Sequence, residues 1–274
     1  MKILILGGNR FAGRQLAKAL LPEAEVTVFN RSGKGPEGVI VIEGDRNTFE
    51  GTFTGYDIII DFCLFKPDQA ERLIKQIPTG QKYIFISSAA AYADQANQYH
   101  HPYSKIGGRE SFGEYGKEKA QCEQTIKNSN LDYTIIRPGY VVGPGSHRPR
   151  LSYYFHQILN GLPVDVDGTG EKLFSLIWID DYVELLKRVI YETSPCDLEI
   201  NAAGTDLYSS KSLAEEVANF LKKSYTIKEN GADTPFQNEH LILTPTDIFT
   251  PLQERLSEFY TWYESEGKQK HGYE

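Results

Sequence analysis

The stretch Lys2-Ile3-Leu4-Ile5-Leu6-Gly7-Gly8-Asn9-Arg10-Phe11-Ala12-Gly13 decides the fold. Its first residues form a continuous apolar run of the kind found in a strand buried on both faces. The glycines that follow permit a sharp turn, and residues Ala12 to Leu21 carry helical spacing. Strand, glycine-rich turn and helix in that order make a cradle for a pyrophosphate, because the helix start offers free N–H groups and a positive dipole end to an anion. A turn of the same shape with no ligand is the alternative reading. Arg10 takes the place of the middle glycine in the G-x-x-G-x-x-G form, where its side chain could pair with a phosphate oxygen or point to solvent.

Working outward, similar apolar runs recur at Val26-Thr27-Val28-Phe29, Val39-Ile40-Val41-Ile42, Ile58-Ile59-Ile60, Tyr83-Ile84-Phe85-Ile86 and Tyr133-Thr134-Ile135-Ile136. Helical spacing separates several of them, at Pro67 to Ile77 and Gly116 to Ser129. This alternation predicts a doubly wound α/β architecture with buried parallel strands. After Pro138 a Pro/Gly/Arg loop precedes helices near Leu151–Asn160, Asp180–Tyr191 and Lys211–Lys222, with Asp180 and Asp181 as N-caps. Glu199-Ile200-Asn201-Ala202 reads as a late strand, and Thr250 to Tyr263 as a terminal amphipathic helix. One domain over 1–274 is expected, with its substrate side built mainly from about 139–180 and 203–274.

The chain has 274 residues, and 37 acidic against 29 basic side chains leave a formal charge of -8. That balance argues against a polyanion-binding surface, so nucleic acid is not the expected partner. Cys63, Cys122 and Cys196 lie far apart with no C-x-x-C pair, so neither a metal site nor a disulfide framework is signalled. His100-His101 sit in a polar loop without ligand-spaced acidic or Cys partners, and no metal is expected. No run approaches the ~18 apolar residues that span a bilayer. A soluble, cytoplasmic protein is expected, without membrane contact.

Two further constellations carry chemistry. The second strand ends in Phe29-Asn30-Arg31-Ser32, where sites specific for NAD place a carboxylate against the ribose 2′-hydroxyl. Asn30 cannot repel a phosphate, and Arg31 with Arg10 could hold a 2′-phosphate, so NADP is favoured over NAD. Next, Tyr115 and Lys119 stand four residues apart at the start of a helix, on one face. With 17 tyrosines in the chain, about one Y-x-x-x-K is expected by chance. This one follows the Tyr83–Ser87 strand, at the carboxyl edge where a doubly wound sheet binds ligands.

These residues resemble an extended or atypical short-chain dehydrogenase/reductase, the NAD(P)-dependent epimerase/dehydratase superfamily. The resemblance rests on four segments: the GGNRFAG loop, Ser87-Ser88-Ala89-Ala90-Ala91-Tyr92, Tyr115 with Lys119, and Arg137-Pro138-Gly139-Tyr140-Val141-Val142-Gly143-Pro144. The GG-x-RF loop and Gly44-Asp45-Arg46 resemble the branch that contains chloroplast stem-loop-binding proteins. The resemblance implies a Rossmann-type doubly wound parallel sheet with a small C-terminal substrate-binding part. By position, Tyr115 would exchange a proton with the substrate oxygen and Ser88 would hydrogen-bond that oxygen, Ser87 being the alternative. Lys119 would hold the ribose hydroxyls and lower the phenol pKa, since a tyrosine near pKa 10 is a poor base until a cation stabilises its phenolate. Gly7, Asn9, Arg10, Phe11 and Gly13 would line the cofactor, together with Asn30, Arg31, Asp45, Arg46, Cys63, Leu64, Ser87, Pro138 and Tyr140. Asp45 matches an acid near the adenine amino group, and in its G-D-R turn it could instead satisfy local amides.

Many extended members act on nucleotide sugars and carry an arginine a few residues before a V-D-D segment. Phe174 stands near that place, with Lys172, Arg148 and Arg150 as the basic residues at hand. The implied function is an NAD(P)-dependent oxidoreductase or epimerase/dehydratase acting on a hydroxyl or carbonyl carbon of a small, sugar-derived substrate. A non-catalytic dinucleotide-sensing or RNA-associated protein is the competing reading. Polar faces on the helices at Pro67–Ile77 and Tyr115 onward predict a monomer or weak homodimer.

Overall fold

A strand apolar on both faces is stable only between two other strands and under two helical layers, and Lys2–Leu6 (β1) is placed in that way. In the computed structural model, which describes residues 1–94, 99–192, 198–231, 234–237 and 239–273, β1 lies near the middle of a seven-stranded sheet. Its strands are β2 (Glu25–Asn30), β3 (Ile40–Glu43), β4 (Ile58–Asp61), β5 (Lys82–Ile86), β7 (Asp132–Pro138) and β11 (Leu198–Ala202). The order is β11-β7-β5-β4-β1-β2-β3, and every pairing is parallel. The chain winds outward from β1 to β3 and returns to β4 on the other side. The strand order reverses between β1 and β4, and doubly wound sheets take ligands at the carboxyl ends of the strands at such a switch point.

The chain divides into two compact units, Met1–Pro138 with Val183–Ala202, and Gly139–Tyr182 with Ala203–Glu274. In the first, the sheet is joined by α1 (Phe11–Leu20), α2 (Pro67–Gln76), a short strand β6 (Tyr99–His100) and α3 (Gly113–Lys127). Its core gathers Leu4, Leu6, Ile59, Tyr83, Phe85 and Ile135, with Phe29, Phe49 and Phe53 packed edge-on and stacked at centroid distances of 4.8 to 5.5 Å. The second unit contains β8 (Tyr140–Val142), α4 (Arg150–Leu159), β9 (Val164–Val166), β10 (Phe174–Trp178), the start of α5 (Ile179–Tyr191), β12 (Leu207–Tyr208) and α6 (Ser210–Leu221). It continues with β13 (Ile227–Glu229), β14 (Ile242–Leu243), α7 (Leu252–Trp262) and, after one π-helical turn, α8 (Lys268–His271). β10 pairs parallel with β8 and antiparallel with β12.

Two local expectations are corrected. The run at Val39–Ile42 does not become a buried strand: β3 is the sheet edge, and Ile40, Val41 and Ile42 are each more than a third exposed. A continuous apolar run reports β-propensity but not the number of neighbours a strand will have. Asp180 and Asp181 are not N-caps but lie within the first turn of α5, and the Asp181 carboxylate accepts from the Thr250 amide at 2.7 Å and hydroxyl at 3.1 Å, tying the approach to α7 onto α5. Cys196 lies outside the described residues, while Cys63 and Cys122 are free thiols.

The first unit also encloses a polar network that periodicity does not announce. Arg137, at the end of β7, is fully buried and grips Glu123 of α3 through Nε to Oε1 at 2.8 Å and Nη2 to Oε2 at 2.6 Å. It also bonds Glu199, the Tyr92 hydroxyl at 3.1 Å and the Pro102 carbonyl at 2.6 Å. Tyr92 donates to Asn201 at 2.5 Å, and Asn201 donates to the His100 carbonyl at 2.8 Å. Burial, and then the nearby Arg109, push the His100 imidazole down to about 4, so its Nε2 accepts from Arg109 at 2.8 Å. Removing one partner of an enclosed ion pair leaves the other unpaired, at a cost of about 3–5 kcal/mol. Glu123→Gln is therefore expected to lower the urea-unfolding free energy by about 3–5 kcal/mol. The double variant Glu123→Leu with Arg137→Met recovers part of that loss; a single variant as stable as the parent overturns the reading.

Candidate functional site

The glycine turn after β1 has the backbone a pyrophosphate cradle requires. Gly7 has φ 87°, which strains any residue with a side chain, and a Cβ there would also crowd Cys63, at 3.1 Å from its Cβ and 3.3 Å from its Sγ. Phe11 opens α1 at φ 31°, a costly conformation for a residue with a Cβ. Arg10 sits extended at the N-cap and provides no side-chain acceptor for the first amides of α1. The helix dipole favours an anion at that end.

At the end of β2 the side chains form a connected set. The Asn30 carbonyl oxygen accepts from the Ser32 amide at 3.0 Å and hydroxyl at 2.6 Å, while its amide donates to the Lys34 carbonyl at 2.9 Å. Asn9 donates to the Ser32 hydroxyl at 3.0 Å and accepts from Arg14 at 3.1 Å. Asn9 and Asn30 are thus brought together through Ser32, which sequence reasoning did not single out. Arg10 and Arg31 are exposed and make no side-chain hydrogen bond or ion pair among the described residues.

Lys119 lies on the buried face of α3, 1% exposed. Its ammonium donates to the Leu64 carbonyl at 2.7 Å and the Ile86 carbonyl at 2.9 Å, bridging the residues that follow β4 to the end of β5. The rings of Phe65 and Phe85 lie 4.9 and 4.7 Å from it. Burial pushes the amine down to about 8, opposed chiefly by the negative charge of Asp61. An ammonium has three donors, and two backbone carbonyls leave one.

Ser87 and Ser88 separate cleanly. The Ser87 hydroxyl is buried and donates to Glu123 at 2.5 Å. Ser88 caps the helical turn Ala89–Ala91 by accepting from the Ala90 amide at 3.1 Å, so its O–H proton has no acceptor among the described residues. Tyr115, 41% exposed, lies in the first turn of α3 next to Gly116. A Cβ on Gly116 would stand 2.6 Å from the Ala90 carbonyl oxygen, and this close approach packs the start of α3 directly on the turn that Ser88 caps.

The remaining predicted residues are placed as follows. Asp45 accepts from the Asn47 amide and side chain, both at 2.9 Å, inside its own turn. Arg46 pairs with Asp61 and touches the Cys63 sulfur at 3.3 Å. Burial pushes the Cys63 thiol up to about 12, so it is neutral at physiological pH. Leu64 is buried and contributes its carbonyl to Lys119. Pro138 closes β7 in the first unit. Tyr140 belongs to the second unit, its ring edge-on to Phe174 and Phe236 at 5.2 and 4.9 Å and under the Arg150 guanidinium at 4.3 Å. Besides Ser32, sequence reasoning missed Arg14, Glu123 and Asp61. Asp61 carried a usable signal, since an acid that ends an apolar strand is buried only with partners.

The family described as NAD(P)H-binding matches residues 7–155, just over half of the 274-residue chain. The chloroplast stem-loop binding protein of 41 kDa b from Arabidopsis thaliana is 23% identical over 273 residues, covering 87% of this chain and 71% of that one. Among solved structures, the UDP-N-acetylglucosamine 4-epimerase of Methanobrevibacter ruminantium, in complex with UDP-N-acetylmuramic acid, superposes with a TM-score of 0.78 at 20% identity. That superposition covers 96% of this chain and 98% of the epimerase. The UDP-glucuronic acid 4-epimerase of Bacillus cereus, in complex with UDP-glucuronic acid and NAD, gives 0.78 at 18% identity over 97% and 99% of the two chains. Because the family match opens at Gly7 and runs past Lys119 and Arg137, the chain belongs to the NAD(P)H-binding family, with the Rossmann fold these epimerases share.

Proposed function

We propose that the protein is an NAD(P)-dependent oxidoreductase or epimerase/dehydratase that acts at a hydroxyl or carbonyl carbon of a small, sugar-derived substrate. The observation that carries this reading is Lys119, a buried ammonium held at the carboxyl ends of β4 and β5 with a donor to spare. A cation placed there suits ribose hydroxyls, and its charge favours the phenolate of a tyrosine one helical turn away. The dinucleotide supplies hydride transfer when bound. The uncapped start of α1 and the sterically bare Gly7 fit its pyrophosphate, and Asn9, Phe11 and Gly13 complete the wall of that turn.

The chain's own groups manage the proton. Ser88 directs its free O–H toward the reacting oxygen and Tyr115 gives or takes the proton at its phenolic oxygen. Lys119 keeps the phenolate accessible near neutral pH. Ser87 is consumed by Glu123 and serves to fix the strand end. Asp45, Arg46, Cys63, Leu64 and Pro138 border the dinucleotide. Phe174 in the second unit is enclosed by Phe236 and Tyr140, which supports a substrate recognised otherwise than through a phosphate at that position.

NADP is the favoured cofactor, supported by Asn30 in place of an acid and by the exposed Arg10 and Arg31. A second reading, a dinucleotide-sensing or RNA-associated protein without turnover, draws on the name of the Arabidopsis relative, while the charge of -8 weighs against it. Free thiols at Cys63 and Cys122 suit a reducing, cytoplasmic setting.

Tyr115→Phe should reduce hydride exchange on a panel of sugar-derived alcohols at least about a hundredfold while leaving nucleotide affinity unchanged; undiminished exchange overturns the assignment. Salt-dependent RNA binding without exchange selects the second reading. Fluorescence titration with reduced nucleotides should show tighter binding of NADPH than NADH, with the preference lost in Arg31→Ala; a preference for NADH in the parent refutes it. α2 exposes Asp68, Glu71, Arg72 and Lys75, and α3 exposes Lys117, Gln121 and Gln124. Light scattering is accordingly expected to report a monomer or weak homodimer, and a tight dimer contradicts that.

A further inference from the structure

Ser88 stands on a segment whose middle has no polar side chain to hold it. From Ser87 to Tyr92 the chain leaves β5 and makes the helical turn Ala89–Ala91, three buried alanines. The Ser87 amide donates to the Ile136 carbonyl at 2.8 Å. Further on, the Arg109 amide donates to the Ala90 carbonyl at 3.0 Å, and the Gly107 and Gly108 amides donate to the Ala91 carbonyl at 3.0 and 2.9 Å. Those last bonds tie the turn to irregular chain ahead of α3 rather than to the sheet. Side-chain anchorage is left to the two ends.

Both ends converge on one guanidinium. At the first, the Ser87 hydroxyl donates to Glu123 Oε1 at 2.5 Å, the same oxygen that accepts from Arg137 Nε at 2.8 Å. At the other, the Tyr92 hydroxyl accepts from Arg137 Nη1 at 3.1 Å and donates to Asn201 at 2.5 Å. The Tyr92 ring lies 4.9 Å from the guanidinium carbon and stacks on His100 at 4.6 Å. Burial pushes the Tyr92 phenol up to about 12, so it keeps the proton it gives to Asn201. Arg137 itself is anchored in the sheet: Ile86 pairs with Ile136, so Ser87 and Arg137 each follow a residue of that pair. An enclosed Arg–Glu pair adds little stability over apolar residues of the same volume, because both charges lose their hydration. What a rigid planar fork does provide is orientation of everything bonded to it.

We propose that Arg137 is the positioning residue of Ser88: through Glu123 and Tyr92 it holds both ends of the segment that aims the serine hydroxyl at the reacting oxygen. The proposal rests on the part given to Ser88 in the proton chemistry and extends it to the group that fixes where Ser88 stands. A donor displaced by about 1 Å can cost about a hundredfold in rate, so a clamp on its carrier is felt in turnover.

Nicotinamide reduction would be measured with NADP and with NAD on a panel of aldoses, alditols and UDP-sugars. The full-length chain would be compared with Tyr92→Phe, Ser87→Ala and Ser88→Ala, and with Ser88→Ala joined to each of the other two. Tyr92→Phe and Ser87→Ala each cut one end of the clamp and leave Arg137 paired with Glu123, so the ion pair is retained; thermal melts give the folded fraction to which rates are referred. The expected result is a kcat lowered about tenfold by each, with KM and nucleotide Kd unchanged, and less than about a twofold further loss when either is added to Ser88→Ala. A purely structural network slows the parent and the Ser88→Ala background by the same factor. That equal slowing, or full activity in both Tyr92→Phe and Ser87→Ala, overturns the positioning role alone, as does a Ser88→Ala variant as active as the parent. A parent chain that reduces neither nucleotide with any member of the panel overturns the proposed activity and the clamp with it.

Discussion

Two buried charges on one helix constrain the rest of the first unit. Lys119 and Glu123 stand one turn apart on α3, and both are pressed against the sheet. An enclosed charge without a partner costs several kcal/mol, so each dictates what must stand opposite it. Lys119 takes the carbonyls of Leu64 and Ile86; Glu123 takes Arg137 and Ser87. These bonds leave α3 one rotation and one height against β4, β5 and β7. The exposed phenol of Tyr115 and the free proton of Ser88 inherit their places from that fit, because Gly116 lets the helix start rest on the turn between them.

The same logic orders the end of β4. Asp61 is an acid at the end of an apolar strand, and it recruits Arg46 from the loop after β3, the Cys63 amide and the Tyr83 hydroxyl. Its charge also reaches Lys119, where it opposes the burial that lowers the amine. One carboxylate therefore acts on two cations, Arg46 and Lys119. Polar groups of this kind add less to stability than to the definition of a single arrangement.

The second unit follows different chemistry. Its organisation is aromatic, with Tyr140, Phe174 and Phe236 packed together and Arg150 lying over two of the rings. Asp181 ties the residues before α7 to the start of α5 through Thr250 and Arg255. The resemblance to sugar-nucleotide epimerases covers this half of the chain in shape, but shape at such low identity specifies the fold and leaves substrate choice to individual side chains.

By itself the sequence determined the sheet, the helices and the glycine turn, because strand and helix periodicities are local properties and the turn chemistry of Gly7 needs no distant partner. It also placed Tyr115 and Lys119 on one helical face, a consequence of four-residue spacing alone. Tertiary structure decided what each polar group would be used for. It put β3 at the exposed edge, gave Ser87 rather than Ser88 to Glu123, turned Asp45 onto its own loop, and sealed Asp61 and Arg137 into networks spanning fifteen to more than sixty residues of chain. The reason is that hydrogen bonds and ion pairs are satisfied across space, and a linear pattern records which side chains can bond but not which partner the fold will bring within 3 Å.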